Sequence, residues 1–203
     1  MSTPKQAERN HRMLQTARHE FCQKGYREAS IDVIAKKAMV SKATLYHHFD
    51  NKETLFMAVF EYAINQIELK IFPSFSKTSN VHERIKTGLR LFMKDTIENP
   101  EFNFFFKALT VDNSLITESL RKKIIGKFFA SGLIFSRRQI KKEQEAGAIK
   151  SHFDPDFLFN GVLGMIYYIL IYWERNQRRI SIEKCADQIT EIITYGLSTG
   201  EKA

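Results

Sequence analysis

Between Ser30 and Lys52 the chain reads SIDVIAKKAMVSKATLYHHFDNK. Ser41, Thr44 and Tyr46 bring hydroxyls, Lys42 an ammonium, and His47 and His48 imidazoles, all within little more than two turns of a helix. Donors and a cation grouped with so little bulk suit a polyanion. Phosphate oxygens take N–H and O–H donors, and base edges take the same groups wherever the backbone comes close. Ser41 and Ala43 are small enough to let it come close, and free amides at a helix N-terminus attract phosphate.

Those side chains need two helices to present them. Ser30 is a good N-cap for one helix carrying Ile31, Ile34 and Ala35, and Ser41 for a second that ends near Phe49. A tight turn near Ala38–Val40 separates them. Ile34, Ala35, Val40 and Leu45 are spaced to pack the pair together, with Ala35 and Ala38 permitting close approach. Such a pair is a helix-turn-helix, whose second helix enters the major groove of DNA. A longer helix, roughly Lys5 to Lys24, precedes it with an apolar stripe of Met13, Leu14, Ala17 and Phe21. Gly25 follows where a left-handed residue is needed. Asp50 or Asn51 caps a fourth helix, with Glu53 and Thr54 in its first turn, running to about Ile71.

Beyond Pro73 and the polar run 74–80 the pattern stays helical, at about 81–98, 101–110, 115–146, 154–176 and 181–198. Asn99–Pro100, Val111–Asn113 and Gly147 separate these segments, Asp154 with Pro155 starts one, Ser181 caps the last, and Gly196 and Gly200 close it. The apolar run 157–173 includes Asn160, Gly161 and Gly164 and is shorter than the roughly 20 residues of a membrane span, so it reads as a buried helix.

Charge and composition agree with a polyanionic partner. The 203 residues carry a net charge of +8, and residues 1–55 hold ten Lys/Arg against six acids, half of that excess. Two cysteines, Cys22 and Cys185, make no disulfide framework and suit a reducing cytosol. The polar N-terminus is no signal peptide. No phosphate-binding glycine loop, metal cluster or nucleophile elbow is present, which speaks against an enzyme. His47 and His48, being adjacent on a helix, diverge by about 100° and cannot readily share an ion.

Residues 13–60 resemble the DNA-binding domain of the TetR family of transcriptional regulators. The resemblance rests on Ala17, Phe21, Gly25, Tyr26, Ser30, Ile31, Ile34 and Ala35, and on the run VSKATLYHHFDNKETLF, Val40–Phe56. It implies an all-α protein of about nine helices: a three-helix DNA-binding domain (1–52) and a larger helical domain for ligand binding and dimerisation (53–203). It implies that Ser30 contacts phosphate, and that Ser41, Lys42, Ala43 and Thr44 lie at the groove, with Lys42 on a base or a phosphate. Tyr46, His47 and His48 would touch backbone and base edges, and Lys52 would pin a phosphate. The family commonly has glycine where this chain has Met39 and Ala43. A non-glycine residue at φ > 0 costs about 1 kcal/mol, so the turn is expected to be strained or adjusted.

The expected function is therefore a ligand-responsive repressor: cytoplasmic, homodimeric and non-enzymatic, without cofactor or metal, and without a membrane partner. It would bind a roughly palindromic double-stranded operator and be released by a small apolar or aromatic molecule. Phe102, Phe105, Phe106, Tyr167, Tyr168 and Trp173 are candidate ligand contacts, though plain core or a dimer interface explains each as well. The helices at 154–176 and 181–198 are expected to pair with their copies. Arg137, Arg138, Lys141 and Lys142, and the group Arg175, Arg178 and Arg179, read as solvated helix surface.

Overall fold

A computed structural model describes residues 4–71, 73, 80–110, 112, 114–176 and 179–197. Among them the regular structure is helical, with no strand: α1 (Pro4–Glu28), α2 (Ile31–Lys37), α3 (Lys42–Phe49), α4 (Lys52–Ile71), α5 (Val81–Glu98), α6 (Pro100–Thr110), α7 (Glu118–Glu145), α8 (Pro155–Arg175) and α9 (Ile182–Leu197). The expected break at 74–79, and Val111, Asn113, Arg178 and Gly200, lie outside the described residues.

Short polar side chains set the helix starts. Ser30, Ser41 and Asp154 accept amides of the first turns of α2, α3 and α8. Asn99 Oδ1 takes the amides of Glu101 and Phe102, and Ser181 Oγ that of Lys184. The choice left open before α4 goes to Asn51, whose Oδ1 accepts from the Thr54 amide at 2.9 Å. The helix expected from residue 115 starts at Glu118 instead. Asp112 Oδ1 binds the amide and hydroxyl of Ser114 and folds that stretch into a turn, and Thr117 Oγ1 caps the helix through the Leu120 amide.

The chain forms two compact units, Met1–Gln66 with Asn99–Ile125, and Ile67–Glu98 with Gly126–Ala203. In the first, α1 packs on α2 and α6, and α2 on α3. Its centre is aromatic. Phe56 meets Phe21 edge-on at 4.9 Å between centroids, Tyr26 at 5.2 Å and Phe105 at 5.4 Å, and Phe60 meets Phe105 at 5.1 Å. Edge-to-face pairs contribute about 0.5–1.5 kcal/mol each beyond burial. Ion pairs of Arg18 with Glu101 and Lys123 with Glu53 tie α1 to α6 and α7 to α4.

In the second unit α5 runs along α9, and α8 also packs on α9. Leu89, Met93, Ala186, Ile189 and Ile193 are buried there. Arg90 grips Asp187 with two bonds of 2.7 and 2.6 Å, and Arg84 meets Glu143 at 2.6 Å.

Helix α8 corrects the expectation of a buried helix. Leu158, Ile166, Leu170 and Trp173 are buried, but Phe157, Gly161, Gly164, Tyr168 and Tyr172 are exposed. By length and composition alone this helix is long and apolar enough to cross a membrane. Its one-sided burial is that of a helix with one face in a core and a second face open.

Candidate nucleic-acid interface

The interface grows from the turn between α2 and α3. The amide of Met39 bonds to Lys36 O at 3.1 Å and that of Val40 to Ala35 O at 3.0 Å. This is the Schellman pattern, and it places Met39 at the residue just past the C-cap, with φ 56°. The expected strain at Met39 is therefore present. Arg12 of α1 donates through Nε to Ala38 O at 2.8 Å, satisfying a carbonyl at the end of α2. Ile34, Ala35 and Leu45 are buried beneath the turn as their spacing required, together with Ala38, whereas Val40, expected to pack with them, is half-buried.

That arrangement turns the N-terminus of α3 outward. Ser41, Lys42, Ala43 and His47 are exposed, and Thr44, Tyr46 and His48 half-buried. Ser41 Oγ accepts the Thr44 amide at 3.0 Å and lies 2.8 Å from its hydroxyl. The surface offers hydroxyls, an ammonium and imidazole nitrogens, the groups that phosphates and base edges recognise.

Several of these groups already have protein partners. Lys42 Nζ donates to Asp32 Oδ2 of α2 at 3.0 Å, which holds the ammonium above its ordinary pKa. Lys52 Nζ donates to Arg27 O at 2.9 Å and sits 5.1 Å over the Tyr26 ring, and burial lowers its pKa. Arg9 Nη2 donates to His48 Nε2 at 3.3 Å. A guanidinium has no acceptor, so this nitrogen of His48 must be unprotonated. Burial first, then the charges of Arg9 and His47, push the His48 pKa down, in the same direction.

Four contributors escaped the sequence reading: Arg9, Arg12, Glu20 and Asp32. Glu20 is 4% exposed. Its Oε1 accepts from the Ser30 amide at 3.4 Å, and its Oε2 lies 3.7 Å from Lys37 Nζ. It thus fixes the start of α2 from within α1. The excess of basic residues over 1–55 hinted at Arg9 and Arg12, but nothing local pointed to Glu20 or Asp32, because each role depends on a partner on another helix or turn.

The six candidate ligand contacts fall in both units. Phe102 and Phe105 are buried in the first, Phe106 half-buried. In the second, Trp173 is buried and its indole N–H donates to Ile180 O at 2.7 Å, Tyr167 is partly exposed, and Tyr168 is 70% exposed. Cys185 is buried, whereas Cys22 is half-buried. Burial, with Glu101 adding, pushes the Cys22 thiol up to about 12. Among the described residues no group of three or more His, Cys, Asp or Glu is placed to hold a metal ion.

Comparison with known proteins agrees with this geometry. Residues 13–59 match the family model of bacterial regulatory proteins, tetR family. YhgD, an HTH-type transcriptional regulator of Bacillus subtilis, is 25% identical over 186 residues, covering 92% of this chain and 95% of its own. The crystal structure of the Bacillus subtilis regulator FadR in complex with stearoyl-CoA superposes with a TM-score of 0.74 at 17% identity, over 93% of this chain and 99% of that one. NalD of Pseudomonas aeruginosa, the secondary repressor of the MexAB-OprM efflux pump, superposes at 0.67 and 17% identity, over 98% and 100%. At those identities the structures speak for the fold. The matched helix-turn-helix, with its outward-facing α3, is that of the TetR family of transcriptional regulators.

Proposed function

We propose that this protein is a cytoplasmic repressor that binds a roughly palindromic operator as a homodimer and is released by a small apolar or aromatic effector. It carries out no catalysis and uses no cofactor. The carrying observation is the exposed N-terminal face of α3, with Ser41, Lys42 and Ala43 outward on a helix held by a buried turn. Ser30 at the start of α2, with Thr44, Tyr46, His47, His48 and Lys52, completes the proposed DNA contacts. Residues 1–52 are the reading part and 53–203 the regulatory part.

A dimer is supported by the open apolar faces of the second unit. Phe157, Gly161, Gly164, Tyr168 and Tyr172 follow one another along α8 at spacings of three or four residues, and Ile192 and Tyr195 are exposed on α9. Tyr195 is 80% exposed. Covering such faces with a second copy would set two recognition helices to meet major grooves roughly 34–36 Å apart. Tyr168 fits that interface better than a pocket. Phe102, Phe105 and Phe106 of the first unit and, separately, Tyr167 and Trp173 of the second remain candidates for effector contact, and the stearoyl-CoA held by the similar FadR supports an apolar ligand.

Effector binding favours a state in which α4 has moved and the recognition helices no longer match the groove spacing. Helix α4 suits this role because its residues up to Gln66 cluster with the DNA-reading helices and its last turn with the other unit. Effector and operator then weaken each other by one coupling free energy.

The test is footprinting of genomic DNA, beginning upstream of the protein's own gene, with the wild type and Tyr168→Glu. The wild type is expected to protect a roughly palindromic site. The variant places a carboxylate in the proposed interface and is expected to sediment as a monomer and bind about 100-fold more weakly, the loss of two-site engagement. No protected site at low salt would overturn the DNA reading, and a dimeric variant of wild-type affinity would overturn the interface.

A further inference from the structure

Asp32 is an acidic side chain beside the proposed DNA contact Lys42, where its charge opposes the task of that surface. It stands in the first turn of α2, is 70% exposed, and reaches across to Lys42, the first residue of α3 and 51% exposed. The bond of 3.0 Å joins the first turns of the two helices of the motif. A carboxylate on a surface that approaches phosphates is repelled by them on any sequence. It also neutralises the lysine that would otherwise release a counterion from any phosphate it met. An acid in the first turn does favour the helix dipole, but that needs no lysine partner on another helix.

We infer that Asp32 is a positioning residue for DNA discrimination: it holds Lys42 over the groove and keeps it from serving as a general phosphate anchor. The inference rests on the DNA-binding reading above. On random duplex, Lys42 stays with Asp32 and Asp32 meets phosphate, so binding is penalised. On the operator, Lys42 finds an acceptor on a base edge, held in place by the carboxylate, and a lysine on guanine O6 or N7 is the commonest such contact. Asp32 thus lowers non-specific affinity more than operator affinity, and the ratio of the two rises.

The measurement is equilibrium binding of the full chain, across a salt series, to two duplexes of equal length: the footprinted site and a random sequence. Asp32→Asn keeps the shape and loses the charge. Its affinity for random duplex is expected to rise roughly tenfold, with a salt slope steeper by about one unit, and its discrimination to fall by a similar factor. In a Lys42→Ala background the same substitution should leave the slope unchanged, because the freed ammonium is gone. A thermal melt of each variant separates these effects from a loss of folding. Equal strengthening on both duplexes would reduce Asp32 to a simple repeller, and an unchanged slope would show that it does not restrain Lys42; either overturns the inference while the wild type still discriminates. A wild type that binds both duplexes alike overturns the DNA reading and this inference with it.

Discussion

The turn inside the helix-turn-helix and the turn that ends α7 carry the same hydrogen-bond pattern on different residues. At the end of α7 the Gly147 amide bonds to Gln144 O and the Ala148 amide to Glu143 O, with Gly147 at φ 75°. At the end of α2 Met39 and Val40 make the matching bonds, with Met39 at φ 56°. Glycine adopts this conformation freely, while a residue with a Cβ gives up about 1 kcal/mol. A Cβ built on Gly147 would meet nothing within 4 Å, so at that end the backbone alone favours glycine. The turn after α2 keeps its geometry without glycine because its surroundings over-determine it. Arg12 holds the Ala38 carbonyl, and Ile34, Ala38 and Leu45 are buried around it.

A kink within α1, at Gly25, sets the upper limit of this comparison. Gly25 has φ 74° and ψ 171°, not the left-handed helical region expected for it but one essentially reserved for glycine. Its neighbour Tyr26 donates its amide to Leu115 O at 3.0 Å, so the backbone cannot easily relax. Gly25→Ala is expected to cost about 2 kcal/mol, read as a lower urea midpoint with an unchanged slope. A shift of only a few tenths of a kcal/mol would mean that this kink adapts as the turn after α2 does. Gly147→Met should cost less, about 1 kcal/mol by the same denaturation, since only the left-handed backbone opposes it. A cost near zero would place the end of α7 among the adaptable turns.

These ends also show what could be read from the sequence. Caps and stops are local: Ser30, Ser41, Asp154, Ser181 and Gly147 act on amides or carbonyls a few residues away, so their places followed from residue type. The α3 surface was legible for the same reason, because one motif contains both the buried and the exposed residues. Contacts between distant residues were not. Asp32 meets Lys42 ten residues away on another helix, Glu20 meets the Ser30 amide, and Arg9 meets His48. The half-exposed face of α8 was missed because an apolar run does not say whether its own chain or another molecule will cover it. Start 118 rather than 115 for α7 came from the Asp112–Ser114 turn, which outcompetes helix for the same amides.

The smallest expected effect tests the comparison most directly. If Met39 is held at positive φ against its preference, Met39→Gly removes about 1 kcal/mol of strain. Glycine also gives the unfolded chain more freedom, which takes back part of that gain. The net stabilisation is then about 0.5 kcal/mol, or roughly 1–2 °C in Tm for a chain of this size. Met39→Asn tolerates the same backbone with less freedom to lose, and should match or exceed it. Met39→Ala is the control. Its Cβ keeps the strain while deleting a side chain that is 74% exposed, so its Tm should stay near that of the wild type. If alanine stabilised the protein as much as glycine does, the exposed thioether and not the backbone would be the source. The likeness between the turn after α2 and the end of α7 would then stop at their hydrogen bonds.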